Sequence, residues 1–368
     1  MVLVADLWRY FSPDYIIARQ RFLDACEKAN AELTTLTLSV LGPSEERLSI
    51  DVAYIGPSDP KRLLIHTSGI HGVEGFPGSA VQVRLLERCA EGELKISDDT
   101  GLMIAHAINP YGFAWLRRVN ENNADLNRNF LLPSDAYVGE PERYHELDKL
   151  LNPRTHNSLF DFFSFKAAWT ILRMGFNVAK QTIAEGQYER PKALQYGGSM
   201  LYEGPRLWIE HLEKNLPDVK QVTWLDFHTG LGPFGVDSLF VIGDDSPEEI
   251  TRLSAHYGGG IQSIGPDSKV AYDIRGGMLE GVMARWPEIE WTSIIQEFGT
   301  VKPVKVLQAL RAENRMTHWS SIEERKKLNA PERRKLVEIF NPSSDKWRSM
   351  IMERGQQLID DAFTDLSK

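Results

Sequence analysis

Cysteine is scarce in this chain: Cys26 and Cys89 are the only two in 368 residues. Two thiols cannot build a disulfide framework, and neither has a second cysteine at metal-ligand spacing. They read as reduced, partly buried side chains. Positive charge is also short, with 42 Lys and Arg against 51 Asp and Glu and a net charge of −9. A nucleic-acid binder needs a basic surface to displace phosphate counterions, so that class is excluded. Acidic substrates are not excluded, because a few arginines inside a cleft can dominate the local field. No apolar run approaches the ~20 residues needed to cross a bilayer. The opening segment MVLVADLWRYFSPDYIIARQRF lacks the basic region, apolar core and cleavage site of a signal peptide. A cytoplasmic protein with neither a nucleic-acid nor a membrane partner is the expectation; nothing here speaks to oligomeric state. Two catalytic signatures are missing as well: there is no G-x-S-x-G nucleophile elbow, and no glycine-rich loop carries the Lys and Ser/Thr of a P-loop.

What is present is an ordinary globular composition, 42% hydrophobic and 25% charged, with ample material for a large core. The length exceeds that of a usual single domain but suits one large α/β domain, residues 1–368, with an insertion. Residues 14–29 place Ala18, Phe22, Ala25, Cys26 and Ala29 at helical spacing. Residues 35–40 and 47–55 predict two antiparallel strands around Gly42-Pro43-Ser44. Short apolar runs at 63–66, 102–108, 222–227, 239–242 and 292–295 suit strands buried on both faces. Helical patterns at 78–89, 247–256, 304–315, 331–340 and 344–363 separate or follow them. This alternation predicts a three-layer α/β sandwich with a central, mostly parallel (mixed) sheet and a site at the carboxyl ends of its strands. Residues 133–204 break the rhythm with apolar and aromatic helical stretches and no clear strand, which reads as a helical insertion or lid.

Four stretches carry chemistry. In LLIHTSGIHGVEGFPGSA, a strand gives way to a glycine-rich loop in which His71 and Glu74 stand three residues apart. Zinc takes imidazole nitrogen and carboxylate oxygen, and a catalytic site keeps one position open. A phosphate cradle before a helix is the competing reading of the same glycines. The second stretch, NPYGFAWLRRVNENNADLNRNF, gathers Arg117, Arg118, Asp125, Asn127 and Arg128 after a strand. A guanidinium beside an amide suits a carboxylate, although taken alone the stretch reads as a polar loop capping its own turns. In TWLDFHTGLGPFG, His228 lies one residue beyond a buried-looking strand. In TSIIQEFGT, another strand ends in Glu297. An acid there is costly unless a metal or cation lies near.

Taken in order, these stretches resemble the carboxypeptidase A-type zinc peptidase superfamily, closest to a bacterial branch with the HGVEG and FHTG pattern. Succinylglutamate desuccinylase and aspartoacylase are its cousins. The resemblance spans residues 63–300, with 133–204 a poor match. It implies one Zn²⁺ ion held by His71, Glu74 and His228, with Glu297 as general base and Arg118 polarising the scissile carbonyl. Arg117, its neighbour, is the alternative for that last role. Asp125 would hydrogen-bond His71 and set its tautomer, as carboxylates behind metal-ligating histidines do. Asn127 and Arg128 would grip a substrate carboxylate. Tyr272, 25 residues before Glu297, is the candidate for a substrate-binding tyrosine. The implied activity is cleavage of an amide bond in a small peptide, or alternatively in an N-acyl amino acid. A non-catalytic binding protein on the same fold is the reading from another class.

Overall fold

The computed structural model describes residues 4–155, 161–258, 260–263 and 274–368. Its centre is an eight-stranded sheet of β1 (Glu32–Leu41), β2 (Arg47–Ile55), β3 (Arg62–Ser68), β4 (Thr100–His106), β5 (Gln221–Phe234), β6 (Asp237–Ile242), β7 (Ile261–Ser263) and β8 (Glu290–Gly299). The spatial order is β1-β2-β4-β3-β5-β8-β6-β7. The four central strands β4, β3, β5 and β8 are mutually parallel, whereas β1, β2 and β6 join antiparallel. The mixed three-layer sandwich expected from the alternating pattern is therefore the one present.

Helices flank the sheet in chain order: α1 (Tyr15–Lys28), α2 (Gly75–Ala90), α3 (Pro110–Ala114), α4 (Tyr144–Leu151), α5 (Phe163–Met174), α6 (Phe176–Ala184) and α7 (Glu203–Asn215). After β5 come α8 (Pro247–Tyr257), α9 (Met278–Met283), α10 (Pro303–Trp319), α11 (Ile322–Arg325), α12 (Pro331–Phe340) and α13 (Asp345–Leu366). Successive strand residues point to opposite faces, and the core divides accordingly. Leu63 and Ile65 of β3, with Val222 and Trp224 of β5, pack toward Trp208 and Leu212 of α7 and Leu279 of α9. Leu64, Leu225 and Phe227 pack the other way, toward Val81 of α2 and Trp347 and Ile351 of α13. A third cluster of Val73, Val306, Leu336 and Phe340 joins the loop after β3 to α10 and α12. Among the described residues, 133–204 carries α4, α5, α6 and the start of α7 and no strand, with a small core of its own around Tyr144, Leu147 and Leu151.

Two expectations shift. β5 does not stop at Phe227, nor β8 at Glu297. Both strands outlast β3, whose last pairing is Ser68 with Phe227, and they continue by pairing with each other, His228 against Glu297 and Gly230 against Gly299. Their backbone groups thus find partners beyond the end of the neighbouring strand, which a local pattern does not reveal. The helix after β3 also starts at Gly75, directly from a 3₁₀ turn over Gly72–Glu74. Among the described residues no helix is long and apolar enough to cross a membrane.

The chain leaves β3 for β4 on one side and returns to β5 on the other, a switch point at which such sheets open a crevice. Leu64 lies fully buried on this central strand. Leu64→Ala should lower unfolding free energy by about 2–5 kcal/mol in urea titration. A loss under about 1 kcal/mol would show that the centre is not close-packed.

Candidate metal centre

The loop after β3 is built against the loop after β4. Gly69 takes φ +65°, turning the chain off the strand. Gly72 N–H donates to Arg118 O at 3.0 Å and Val73 N–H to Arg117 O at 3.0 Å. At Gly72 a Cβ would lie 2.0 Å from the carbonyl carbon of Gly112, so only glycine allows this approach. Asn109 caps the start of α3 by accepting from Gly112 N–H, and its amide donates to Arg118 O. These backbone contacts set His71, Glu74 and Arg118 side by side.

His71, Glu74 and His228 converge. They are 3%, 1% and 3% exposed, and each offers one ligand atom within 4.8 Å of the others. His71 Nδ1 lies 2.9 Å from Glu74 Oε1, and His228 Nδ1 lies 3.2 Å from Glu74 Oε2. The backs of the rings rest on carboxylates: His71 Nε2 is 3.1 Å from Asp125 Oδ1, and His228 Nε2 is 2.6 Å from Asp226 Oδ2. Thr229 N–H donates to Glu74 Oε2 at 3.1 Å. Arg118 spans the group, with Nη1 3.2 Å from Glu74 Oε1, Nε 3.2 Å from Asp125 Oδ2 and Nη2 2.7 Å from His71 Nε2.

Asp226 was not foreseen, although it had a signal. It stands two residues before His228 on one strand, hence on the same face. Thr67 Oγ1 donates to Asp226 Oδ1 at 2.6 Å and accepts from Trp224 Nε1 at 2.9 Å, extending the support into β3. Arg117 and Arg118 separate. Arg117 turns away into a buried pair with Glu313 at 2.8 Å and Asn123 at 2.9 Å. Asp125 also accepts from Asn127 N–H, and Asn127 Oδ1 accepts from Met278 N–H. Arg128 is buried; it donates through Nε to Ala184 O at 3.0 Å and through Nη1 to Asn127 O at 2.8 Å. Glu297 stands beside His228 in register and accepts from Leu231 N–H at 2.8 Å. It does not join the ligand group. Tyr272 lies outside the described residues.

The electrostatics follow from burial against these partners. Burial raises the Glu297 carboxyl to about 7, with the neighbouring charge of Glu74 acting in the same direction. A cation at the three-residue group would offset Glu74 and draw that value down. Burial alone would raise Glu74 and Asp125 too, but His71 and His228 outweigh it at Glu74, and Arg118 and His71 do so at Asp125, holding both below the usual range. For His228, burial favours the neutral ring, yet Asp226 and Glu74 outweigh it and hold the proton well above the ordinary value.

The donor set fits a divalent ion. His71 Nδ1 is buried and makes no hydrogen bond, although Glu74 Oε1 lies 2.9 Å away, and a metal bond would satisfy it. Two imidazoles and one carboxylate form the donor set of an open catalytic zinc site, and the carboxylates behind the rings favour the tautomers with Nδ1 unprotonated.

A comparison with curated proteins finds no match. Among solved structures, bovine thrombin-activatable fibrinolysis inhibitor in complex with tick carboxypeptidase inhibitor is 10% identical, covers 98% of this chain and 99% of its own, and has a TM-score of 0.53. Carboxypeptidase A from Helicoverpa armigera is 10% identical over 88% of this chain and 73% of its own, TM-score 0.49. An aspartoacylase family protein from Mesorhizobium loti MAFF303099 is 16% identical over 78% and 66%, TM-score 0.33. The bovine likeness extends over nearly the whole of both chains, so the carboxypeptidase-type fold that the motifs resemble is the fold present. The chain belongs to the family described as "Protein of unknown function (DUF2817)", whose model matches residues 11–354.

A ligand histidine must be neutral, whereas His228 without metal holds its proton above the ordinary range. Uptake of a divalent ion near neutral pH should therefore release protons, one from His228 and a further fraction from Glu297 as the ion lowers its value from about 7, and should weaken as pH falls. Calorimetry in two buffers of different ionisation enthalpy reads this directly. Identical heats in both buffers would contradict the protonated state of His228.

Proposed function

We propose that this chain is a zinc-dependent amide-bond hydrolase of carboxypeptidase type, acting on a small substrate with a free carboxylate. The observation that carries the reading is the meeting of two imidazole Nδ1 atoms and one carboxylate at a buried point, with Glu297 beside it. His71, Glu74 and His228 would hold the ion. When bound, it would supply Lewis acidity toward a carbonyl oxygen and make water a stronger acid.

The protein's own groups then have distinct tasks. Asp125 and Asp226 keep the imidazoles turned with Nδ1 toward Glu74. With the hydrogen on His71 Nε2, the guanidinium of Arg118 loses its partner there and turns to the oxyanion that develops on the substrate. Glu297, its direction set by Leu231 N–H, takes a proton from the attacking water and returns it to the leaving amine. Asn127 and Arg128 orient the substrate through its carboxylate. At Arg128 that carboxylate would replace neutral carbonyl acceptors with a charged one, the stronger partner for a guanidinium.

A second reading, deacylation of an N-acyl amino acid, is supported by the cover over Arg128. Ala184 O accepts from its guanidinium and Tyr188 donates to Arg128 O at 2.9 Å, so residues 184–188 narrow this side toward small substrates.

Glu297→Gln should bind zinc like the parent protein yet turn over about 10²–10⁴-fold more slowly. Unchanged turnover would remove Glu297 from the role. A panel pairing short peptides with N-acyl amino acids, each with a free or amidated carboxyl end, separates the two readings. Amidation should raise KM in either case, and Arg128→Met should abolish that discrimination. A zinc-loaded protein that hydrolyses neither class would instead fit a binding protein.

A further inference from the structure

Helix α5 carries two apolar stripes on opposite sides. At 3.6 residues per turn, Phe163, Ala167 and Met174 share one side and are buried. Phe165, Trp169 and Leu172 share the other and stand 73%, 55% and 77% exposed. Phe176, at the start of α6, is exposed as well, at 62%. A lone exposed leucine needs no explanation, but adjoining large apolar groups on two consecutive helices mark an interaction site. The charge carried by the two helices is uneven as well, with Asp161 near Lys166 and Glu146 near Arg173 as the acidic neighbours. Residues 162–184 contain Lys166, Arg173 and Lys180 and no acidic residue, in a chain whose net charge is −9.

We propose that the exposed side of α5, with the start of α6, is a docking surface for an anionic lipid bilayer, with its exposed aromatic and aliphatic side chains in the headgroup–acyl boundary and Lys166 and Arg173 on lipid phosphates. The composition matches that use: a Trp and Phe apolar face bordered by Lys and Arg lies in an interface rather than across it. Crossing is excluded for these helices, since α5 has only 12 residues and would span about 18 Å. A symmetric pair of this chain is the less favourable occupant. An isologous contact brings the same patch against itself, and so sets Lys and Arg against Lys and Arg. The face is also tied to the candidate site, because Ala184, the last residue of α6, accepts from Arg128. This departs from the expectation, drawn from the absence of a spanning segment, that no membrane partner exists.

Sedimentation of the full chain with vesicles tests it. The protein should pellet with vesicles of phosphatidylcholine mixed with phosphatidylglycerol, and less with phosphatidylcholine alone. The double variant Lys166→Glu, Arg173→Glu should bind the mixed vesicles about tenfold more weakly, and Phe165→Ser, Leu172→Ser by a similar factor. Since all four side chains are exposed, both variants should keep the parent melting temperature and zinc content. No binding to either vesicle, or equal binding by parent and variants, would overturn the proposal. A concentration-dependent dimer that the serine variant dissociates would reassign the face to a second copy.

Discussion

The site depends on one electrostatic constraint: three carboxylates, Glu74, Asp125 and Asp226, are buried within contact distance of two imidazoles and one guanidinium. Buried acids persist only when paired, and breaking such a set strands charge in a medium that solvates it poorly. Three carboxylates against one guanidinium leave an excess of negative charge. Asp226 and Glu74 hold the His228 proton well above its ordinary value, which offsets part of that excess. A divalent cation would meet the same need and free that proton. Geometry and charge therefore point to the same occupant.

Much of what places these groups is backbone work by the surrounding fold. The loop after β3 cannot reach its conformation without the loop after β4, because Gly72 and Val73 donate to the carbonyls of Arg118 and Arg117. That pairing delivers Arg118 to Glu74 and sends Arg117 to Glu313. On the other side, β5 and β8 extend past the end of β3, which lifts His228 and Glu297 side by side above the sheet. The helices α10 and α12 close over the loop through Val73, Val306 and Leu336, away from both principal cores.

Much of this was legible in the residues. Five of the strands follow from short apolar runs, and α12 spans 331–340 as its pattern predicts, because burial on both faces of a strand leaves a continuous apolar run and burial of one helix face leaves a 3.6-residue period. His71, Glu74 and His228 were legible because the HGVEG and FHTG stretches, in that order and each after an apolar run, resemble the motifs of a known superfamily. Asp226 escaped notice although it shares a face with His228, since an acid inside an apolar strand reads as part of the strand until its partner is seen. The helix α7 was not among the predicted helices, and only its first two residues, Glu203 and Gly204, fall within 133–204.

The sequence alone determined the class of fold, because that rests on the alternation of apolar runs and helical patterns, and it pointed to the three converging side chains and the acid beside them through four motifs whose order resembles a known superfamily. Only the tertiary structure decided which of two adjacent arginines faces Glu74, that Asp226 stands behind His228, and that Arg128 is held by the carbonyls of Ala184 and Asn127. Those outcomes turn on how distant loops meet, and a one-residue difference such as that between Arg117 and Arg118 is settled by backbone hydrogen bonds to a segment more than forty residues away. The exposed face of α5 belongs to the same category. Its two apolar stripes are equivalent in sequence, and burial of one is what leaves the other in solvent.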